Sequence, residues 1–493
     1  MKKKVAINYI YSSFYQLVLI VVPFITAPYL AKTLQPTATG INSYVSAVVQ
    51  LISALGMLGI NNYSIREVAY VRNNKSDLTK LFSELLIMRF ILLLITSVVY
   101  LIYAFLSEYR IYFFIQFIAV FSAFLDISWL YMGLEEFKVT VTRSLIVKIV
   151  NLISIFTFIK SPKDLGLFMI FSSIYTVIGN SILYFGIKKK INKISFKNIN
   201  VKRHFIPMVK LFLPYAASLI YLQIDKIMIK YLSPNIQDVG FYDQAERLVK
   251  IPLALITALS SVMLPRVSNE YKNKNNENVK KYVESSFVFS IYMAIPMMFG
   301  IFSISYTMIP WFLGTDYNGV IPIMMIICPI ILFISLSAVC GNQYLTAINN
   351  TKVLTTSYCL GAVFNLIFNA ILIPLLSGKG AAIGTVIAEG TVFFTQYITV
   401  KNIVDRKNIK RSFIKYFICG IFMFLVCNII GIYLKPNTIT TILQIVAGII
   451  TYFLVLIVIK DELTYNALNV VKNKINILRR KKDEAKVWYE KFF

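Results

Sequence analysis

The chain has 493 residues, 57 % of them hydrophobic and only 15 % charged, and a mean hydropathy of +0.69. A soluble chain of that length would form about three domains with about 25 % charged residues, so a bilayer is the solvent in which this composition stays dispersed. The net charge of +27 suggests a nucleic-acid partner only until the 50 Lys and Arg are placed relative to the apolar stretches.

A helix needs about 20 mostly apolar residues to cross the hydrocarbon core. About fourteen such spans follow one another, at roughly 9–31, 40–60, 83–106, 111–132, 141–159, 165–187, 207–230, 244–264, 285–308, 320–345, 353–375, 380–400, 413–434 and 438–459. The chain starts Met1-Lys-Lys-Lys4 like a signal peptide, but no small-residue cleavage site follows, so the first span is expected to stay. With the N-terminus inside, about 38 Lys and Arg fall in cytoplasmic segments, about seven outside and about five within spans. The positive-inside bias therefore places both termini in the cytoplasm and accounts for the basic excess without nucleic acid. No loop approaches the roughly 50 residues of a small domain.

Residues 460–493 form a basic tail in which Leu468, Val471, Ile475 and Leu478 have helical spacing ahead of Arg479-Arg-Lys-Lys482. An interfacial amphipathic helix and a solvated tail both fit that pattern. His204, the one histidine, is expected in a polar loop, and Cys328, Cys340, Cys359, Cys419 and Cys427 have no metal or redox spacing. Intramembrane His-based metal sites and Ser-His-Asp catalysis are thereby excluded, and no cofactor is expected beyond a coupling H⁺ or Na⁺.

The chain also matches itself. At an offset of 200, Gly40 meets Gly240, Arg66 meets Arg266, Asn73 meets Asn273, Asp77 meets Glu277, Lys80 meets Lys280 and Glu84 meets Glu284. Near an offset of 214, Lys138-Val139 meets Lys352-Val353 and Gly166 meets Gly380, as an insertion near 305–319 would produce. The expectation is an all-α integral membrane protein with two pseudo-symmetric six-helix bundles, 1–200 and 201–411, followed by two further helices in 412–459 and the tail 460–493. Because six is even, the bundles share one orientation, which suits a rocking transporter.

Ionisable side chains inside spans cost about 2.5–3.5 kcal/mol each at the bilayer centre and mark cavities or partners. Lys226, Arg247, Lys250, Arg89 and Lys148 are the candidate cations for an anionic substrate, with Arg able to fork two phosphate oxygens. Asp126, Asp225, Glu246 and Glu389 are the candidate ion-coupling carboxylates, and Arg66 and Arg266 are candidate gate residues. Mutual neutralisation, snorkelling, helix–helix hydrogen bonding and ordinary positive-inside anchoring are the structural alternatives for the same residues. Prolines inside spans, Pro23, Pro28, Pro214, Pro252, Pro296, Pro329 and Pro374, add kinks.

Three groups of motifs resemble a known family. Leu125-Asp-Ile-Ser-Trp-Leu-Tyr-Met-Gly-Leu-Glu-Glu-Phe-Lys138 is similar to the fourth-span signature of Wzx-type polysaccharide flippases. Asp225-Lys-Ile-Met-Ile-Lys230, Val239-Gly-Phe-Tyr-Asp-Gln-Ala245 and Leu264-Pro-Arg266 resemble their seventh and eighth spans. Asn365-Leu-Ile-Phe-Asn369, Ile373-Pro374 and Gly380-Ala-Ala-Ile-Gly-Thr385 with Glu389 resemble their spans eleven and twelve. The resemblance covers nearly the whole chain. It implies the fourteen-helix fold of the multidrug/oligosaccharidyl-lipid/polysaccharide (MOP) exporter superfamily, shared with multidrug and toxic compound exporters and lipid II flippases. It also implies a substrate, an oligosaccharide on undecaprenyl pyrophosphate moved from the inner to the outer leaflet of a bacterial plasma membrane by alternating access. Tyr11, Tyr15, Tyr44, Tyr221 and Tyr242 would then be candidates for stacking on sugars, and a polysaccharide polymerase and chain-length proteins candidates for partners.

The rival functions are a lipid II-type or teichoic or other glycolipid flippase, a multidrug exporter and a membrane glycan polymerase. A cationic cavity repels the cationic drugs that exporters of this fold typically carry. A polymerase typically presents a sizeable outside loop, and none is expected here. The expectation is a transporter and not an enzyme.

Overall fold

A computed structural model describes residues 2–193, 199–466, 468 and 469, and their side chains except at 2–17, 19, 20, 213–215, 217, 218, 220 and 221. The side chains of Tyr11, Tyr15 and Tyr221, and the tail pattern from Val471 to Leu478, lie outside that description.

Every element among the described residues is helical. The first half contains α1 (Lys2–Gly56), α2 (Ile60–Val71), α3 (Lys75–Leu106), α4 (Arg110–Leu125), α5 (Ser128–Gly133), α6 (Phe137–Phe158) and α7 (Leu165–Ile182). The second contains α8 (Lys202–Leu232), α9 (Gln237–Lys250), α10 (Leu253–Lys272), α11 (Asn276–Phe312), α12 (Val320–Ile327), α13 (Ile330–Ser337), α14 (Thr351–Leu376) and α15 (Gly378–Val400). Two more helices follow, α16 (Arg406–Tyr433) and α17 (Thr438–Val458), packed against each other and on α11. Eleven helices among the described residues are long and apolar enough to cross a membrane, or twelve if the pair α9 and α10, bent by 51°, forms one span. Fourteen is reached only by also dividing α1 and adding α8.

The expected loop at 32–39 does not form. Helix α1 runs through it and turns at Gln35, whose φ of 63° is left-handed backbone, immediately before Pro36, which cannot donate a ladder hydrogen bond. Other spans are broken where the sequence suggested continuity: α4 stops at Leu125 before α5, and α12 stops ahead of Pro329.

The repeat is visible in these details. Asn74 caps α3 by accepting from the amides of Ser76 and Asp77 at 2.9 and 3.3 Å, and Asn275 caps α11 by accepting from Asn278 at 3.2 Å, each cap contributing about 1 kcal/mol. Glu84 of α3 accepts the Asn200 amide at 3.0 Å, and Glu284 of α11 accepts the Asp405 amide, so each bundle holds the strand of chain that leaves it. Helices α3 and α11 start at Lys75 and Asn276, 201 positions apart, whereas α4 and α12 start at Arg110 and Val320, 210 apart. The added residues are the longer end of α11 and the turn Thr315–Tyr317, where the insertion was expected.

Residues equivalent in the two copies touch each other. Gln237 Nε2 donates to Thr37 Oγ1 at 2.9 Å, and Ser43 Oγ donates to Asp243 Oδ2 at 2.8 Å. Between them Gly40 lies against Gly240: a Cβ on Gly40 would stand 2.2 Å from the Ile236 carbonyl oxygen, and one on Gly240 would stand 2.9 Å from the Gly40 nitrogen. Self-equivalent contacts of this kind are what a two-fold axis imposes on residues beside it. Further bonds join the halves at this end: Lys32 Nζ to the Trp311 carbonyl at 2.7 Å, Thr39 to Tyr317 at 2.7 Å, and Tyr231 to Tyr44 and Tyr103 at 3.0 Å each.

Outside the spans, Asp461 fastens the chain after α17. Burial would raise its carboxyl, but bonds from Lys415, from the amide and hydroxyl of Thr464 and from Tyr416 outweigh it and hold the group below the ordinary carboxylate range.

A methyl group at Gly40 should force the halves apart and cost the closed arrangement about 1–3 kcal/mol. A short thiol-reactive cross-linker between Thr37→Cys and Gln237→Cys should therefore react less in Gly40→Ala than in the parent. Gly300→Ala, where the nearest atom to a new Cβ is Met423 Cε at 3.7 Å, should leave it unchanged.

Candidate functional site

Helix α9 carries the charges that the sequence singled out, on a short amphipathic stretch between the turn after α8 and the bend at 251–252. Asp243, Glu246, Arg247 and Lys250 are three or four residues apart and occupy one side of the helix. Lys226, from α8, reaches across to them, 2.7 Å from Asp243 Oδ1 and 3.2 Å from Glu246 Oε2. Arg247 Nε stands 2.9 Å from Asp243 Oδ2, and Lys250 Nζ 2.6 Å from Glu246 Oε1. The carboxylates are buried, whereas the side chain of Arg247 is 57 % exposed and that of Lys250 29 %. Burying a charge without a partner costs several kcal/mol, so three cations around two carboxylates satisfy the buried acids and leave positive ends outward.

Those ends face a chamber of about 420 Å³ between the bundles, walled by α1 from Pro23 to Ser43, by Phe168 of α7, by α9 from Asp243 to Lys250 and by Ile251 in the bend after it. Phe24, Leu248 and Ile251 also wall a second cavity of about 470 Å³, lined almost wholly by apolar groups of α11, α16 and α17, among them Met293, Met297 and Met423. A cationic, water-accessible chamber thus adjoins an apolar one.

A second polar cluster lies inside the second bundle. Asp225, beside Lys226 in sequence, points the other way and is buried. Its Oδ2 accepts from Tyr242 at 2.6 Å and from Thr385 at 3.0 Å, and its Oδ1 accepts from Asn369 at 2.5 Å. Asn365 lies one turn before Asn369 and is joined to it at 3.2 Å, yet Asn369 Oδ1 and Asn365 Nδ2 have no hydrogen-bond partner among the described residues. One carboxylate among hydroxyl and amide oxygens, one of them unpaired, is a donor set suited to a hard monovalent cation or to a proton on the carboxylate.

The profile of polysaccharide biosynthesis proteins matches residues 5–270, more than half of the chain. The chain belongs to that family. The MatE profile matches residues 211–371. A Shigella dysenteriae protein named as an O-antigen transporter is 24 % identical over 390 residues, covering 77 % of this chain and 96 % of its own, and an Escherichia coli K12 protein of the same name is 23 % identical over 391 residues. The solved lipid II flippase MurJ in an inward closed conformation superposes with a TM-score of 0.67 over 92 % of this chain and 99 % of its own, at 18 % identity. An outward-facing MATE family transporter superposes at 0.55 over 83 % of this chain and 96 % of its own, at 13 % identity. The fold is that of the MOP superfamily, and the protein is a multi-pass membrane protein.

In this polysaccharide biosynthesis protein the expected cations divide into two groups. Arg247 and Lys250 line the chamber, while Lys226 lies behind them and clamps the two carboxylates. Arg89 does not reach the chamber: it is 1 % exposed, with Nε 2.9 Å from the Ala123 carbonyl and Nη1 3.1 Å from Asn61, and so satisfies a carbonyl in the last turn of α4. Lys148 lies half-buried on α6 and makes no ion pair or hydrogen bond among the described residues. Asp126 caps the break after α4 by accepting the Ser128 amide at 2.9 Å. Glu246 is committed to Lys226 and Lys250, and Glu389 is buried in α15.

Arg66 pairs at 2.9 Å with its neighbour Glu67, and Arg266 is exposed on α10, so neither bridges the halves. His204 is not in a loop. It sits in the first turn of α8, buried, 2.7 Å from the Tyr63 hydroxyl and 2.9 Å from Glu84. The sequence reading passed over Asp243, Ser43 and Asn369 as site residues. The offset of 200 between Ser43 and Asp243, and the single turn between Asn365 and Asn369, were the signals available.

Lys226→Met leaves Asp243 and Glu246 short of a buried partner and should cost about 3–5 kcal/mol. Arg247→Gln removes a largely exposed charge and should cost about 1 kcal/mol or less. Thermal unfolding of the two variants in detergent should show a markedly lower midpoint for Lys226→Met.

Proposed function

We propose that this protein flips undecaprenyl-pyrophosphate-linked oligosaccharide repeat units from the inner to the outer leaflet of the bacterial plasma membrane, for cell-surface polysaccharide synthesis. The observation that carries the reading is the chamber between the bundles, where Arg247 and Lys250 present positive charge while their counter-charges are buried behind them. A diphosphate is the part of such a lipid that needs cations, and a forked guanidinium suits its oxygens. Thr26, Asn42 and Gln244 in an otherwise largely apolar chamber wall offer hydrogen bonds to the first sugars, and the adjoining Met-lined cavity accommodates isoprenoid chain. A cationic drug would meet repulsion in the same place.

Both termini lie in the cytoplasm by the positive-inside bias. The fastened end of the molecule, with Gly40, Gly240 and Tyr231, is then the outer end, and the arrangement described is closed to the outside. Alternating access consists of parting this end while the opposite end closes. The cycle is coupled to a cation, H⁺ or Na⁺, held at Asp225, with Tyr242, Asn369 and Thr385 as its neighbours. The substrate is moved without chemical change, and a polysaccharide polymerase and chain-length proteins receive it.

In a strain lacking the gene, lipid-linked oligosaccharide should accumulate in the inner leaflet, wild type should relieve the accumulation, and Arg247→Ala with Lys250→Ala should not. Accumulation relieved equally by the double variant removes the cationic chamber from the account. Absence of accumulation, with raised sensitivity to cationic drugs, would make the protein an exporter. Asp225→Asn should lower flipping and abolish its dependence on whichever cation gradient drives the wild type.

A further inference from the structure

Asp243 belongs to two structures at once. In the chamber wall it is the counter-charge of Arg247, at 2.9 Å, and of Lys226, at 2.7 Å. In the contact between the halves it accepts the Ser43 hydroxyl at 2.8 Å, on the same Oδ2 that faces Arg247. Ser43 and Asp243 lie three residues beyond Gly40 and Gly240, where the backbones of the two halves come close. The carboxylate is 2 % exposed, so it is tolerated in the closed wall only while cations neutralise it. Of its two cations, Lys226 is only 12 % exposed and fixed by Glu246 as well, and Arg247 is the one open to the chamber.

We infer that Asp243 is the positioning residue through which a bound diphosphate headgroup loosens the outer closure. The inference rests on the chamber being the headgroup site. A diphosphate entering there competes with Asp243 for the exposed guanidinium of Arg247. Once Arg247 turns to the phosphate, Asp243 keeps one cation in place of two inside a dry contact. The closed wall is thereby penalised relative to an arrangement in which water reaches the carboxylate. A ligand shifts a conformational equilibrium only through such a difference in what it costs the two states. The geometry supplies that difference on one oxygen atom, without any long-range pathway.

The test uses the full chain in lipid nanodiscs, with Cys359→Ser and the cysteine pair Thr37→Cys and Gln237→Cys, cross-linked by a short thiol-reactive reagent. Undecaprenyl diphosphate is the probe and undecaprenol the control. In the parent the diphosphate should slow cross-linking severalfold and undecaprenol should not. Asp243→Asn, which still accepts from Ser43 but leaves Lys226 and Arg247 one counter-charge short, should show no change of its own lipid-free cross-linking rate when the diphosphate is added. Ser43→Ala, which leaves every charge in place, should cross-link more slowly even without lipid. An Asp243→Asn protein that responds like the parent, or a Ser43→Ala protein as tightly closed as the parent, overturns the inference and leaves the flippase reading standing. A parent that ignores the diphosphate, or responds equally to undecaprenol, overturns both the inference and the assignment of the chamber.

Discussion

Two carboxylates, Asp243 and Glu246, are buried in a wall between helical bundles and have to be neutralised where they stand. Low-dielectric surroundings make an unpaired charge costly, and here the remedy brings three cations to two acids. The surplus lies on the chamber side. Lys226 is used up behind the wall, so that Arg247 and Lys250 can end in the chamber as positive charge that nothing inside the wall fully cancels. The pairing that lets the helix exist in the membrane also leaves positive side chains on the chamber wall.

The second constraint is the approach of the halves. Gly40 and Gly240 bring two backbones into contact, and the polar pairs on either side, Thr37 with Gln237 and Ser43 with Asp243, join residues at the same place in each copy. These polar pairs are set in a continuous apolar cluster that joins α1, through Ala31, Leu34, Ala38 and Tyr44, to Val239, Ala245 and Tyr317 of the other half, so parting the halves exposes apolar surface as well as breaking single hydrogen bonds. The Asp225 cluster is separate from it, enclosed by α9, α14 and α15 of the second bundle alone. The polar cluster around Asp225 and the chamber are therefore neighbouring compartments that share α8 and α9.

Much of this was legible in the sequence because membrane insertion leaves strong signals. Spans, the basic loop bias, the six-helix repeat with its insertion before Val320, and the clustering of charge around 225–250 all follow from hydropathy and spacing. What escaped did so for physical reasons. The kink at Gln35 replaces a loop because a proline and one left-handed residue suffice to redirect a helix, and hydropathy does not register either. Arg89 and His204 are partnered by groups distant in sequence, the Ala123 carbonyl for one and Glu84 and Tyr63 for the other, so neither role shows in local pattern. Asp243 was hidden among charged neighbours of its own helix, and its importance comes from Ser43 on another.

The central claim is that an anionic lipid headgroup crosses through the chamber between the bundles. The direct measurement is translocation in vesicles containing the purified protein and an undecaprenyl-diphosphate oligosaccharide, scored by the access of an impermeant glycosidase to the sugar. The account predicts that sugar becomes accessible faster than in protein-free vesicles, and that inorganic pyrophosphate trapped on the loading side slows the gain by occupying Arg247 and Lys250. Translocation indifferent to pyrophosphate, or no translocation alongside uptake of cationic dyes by the same vesicles, would contradict it.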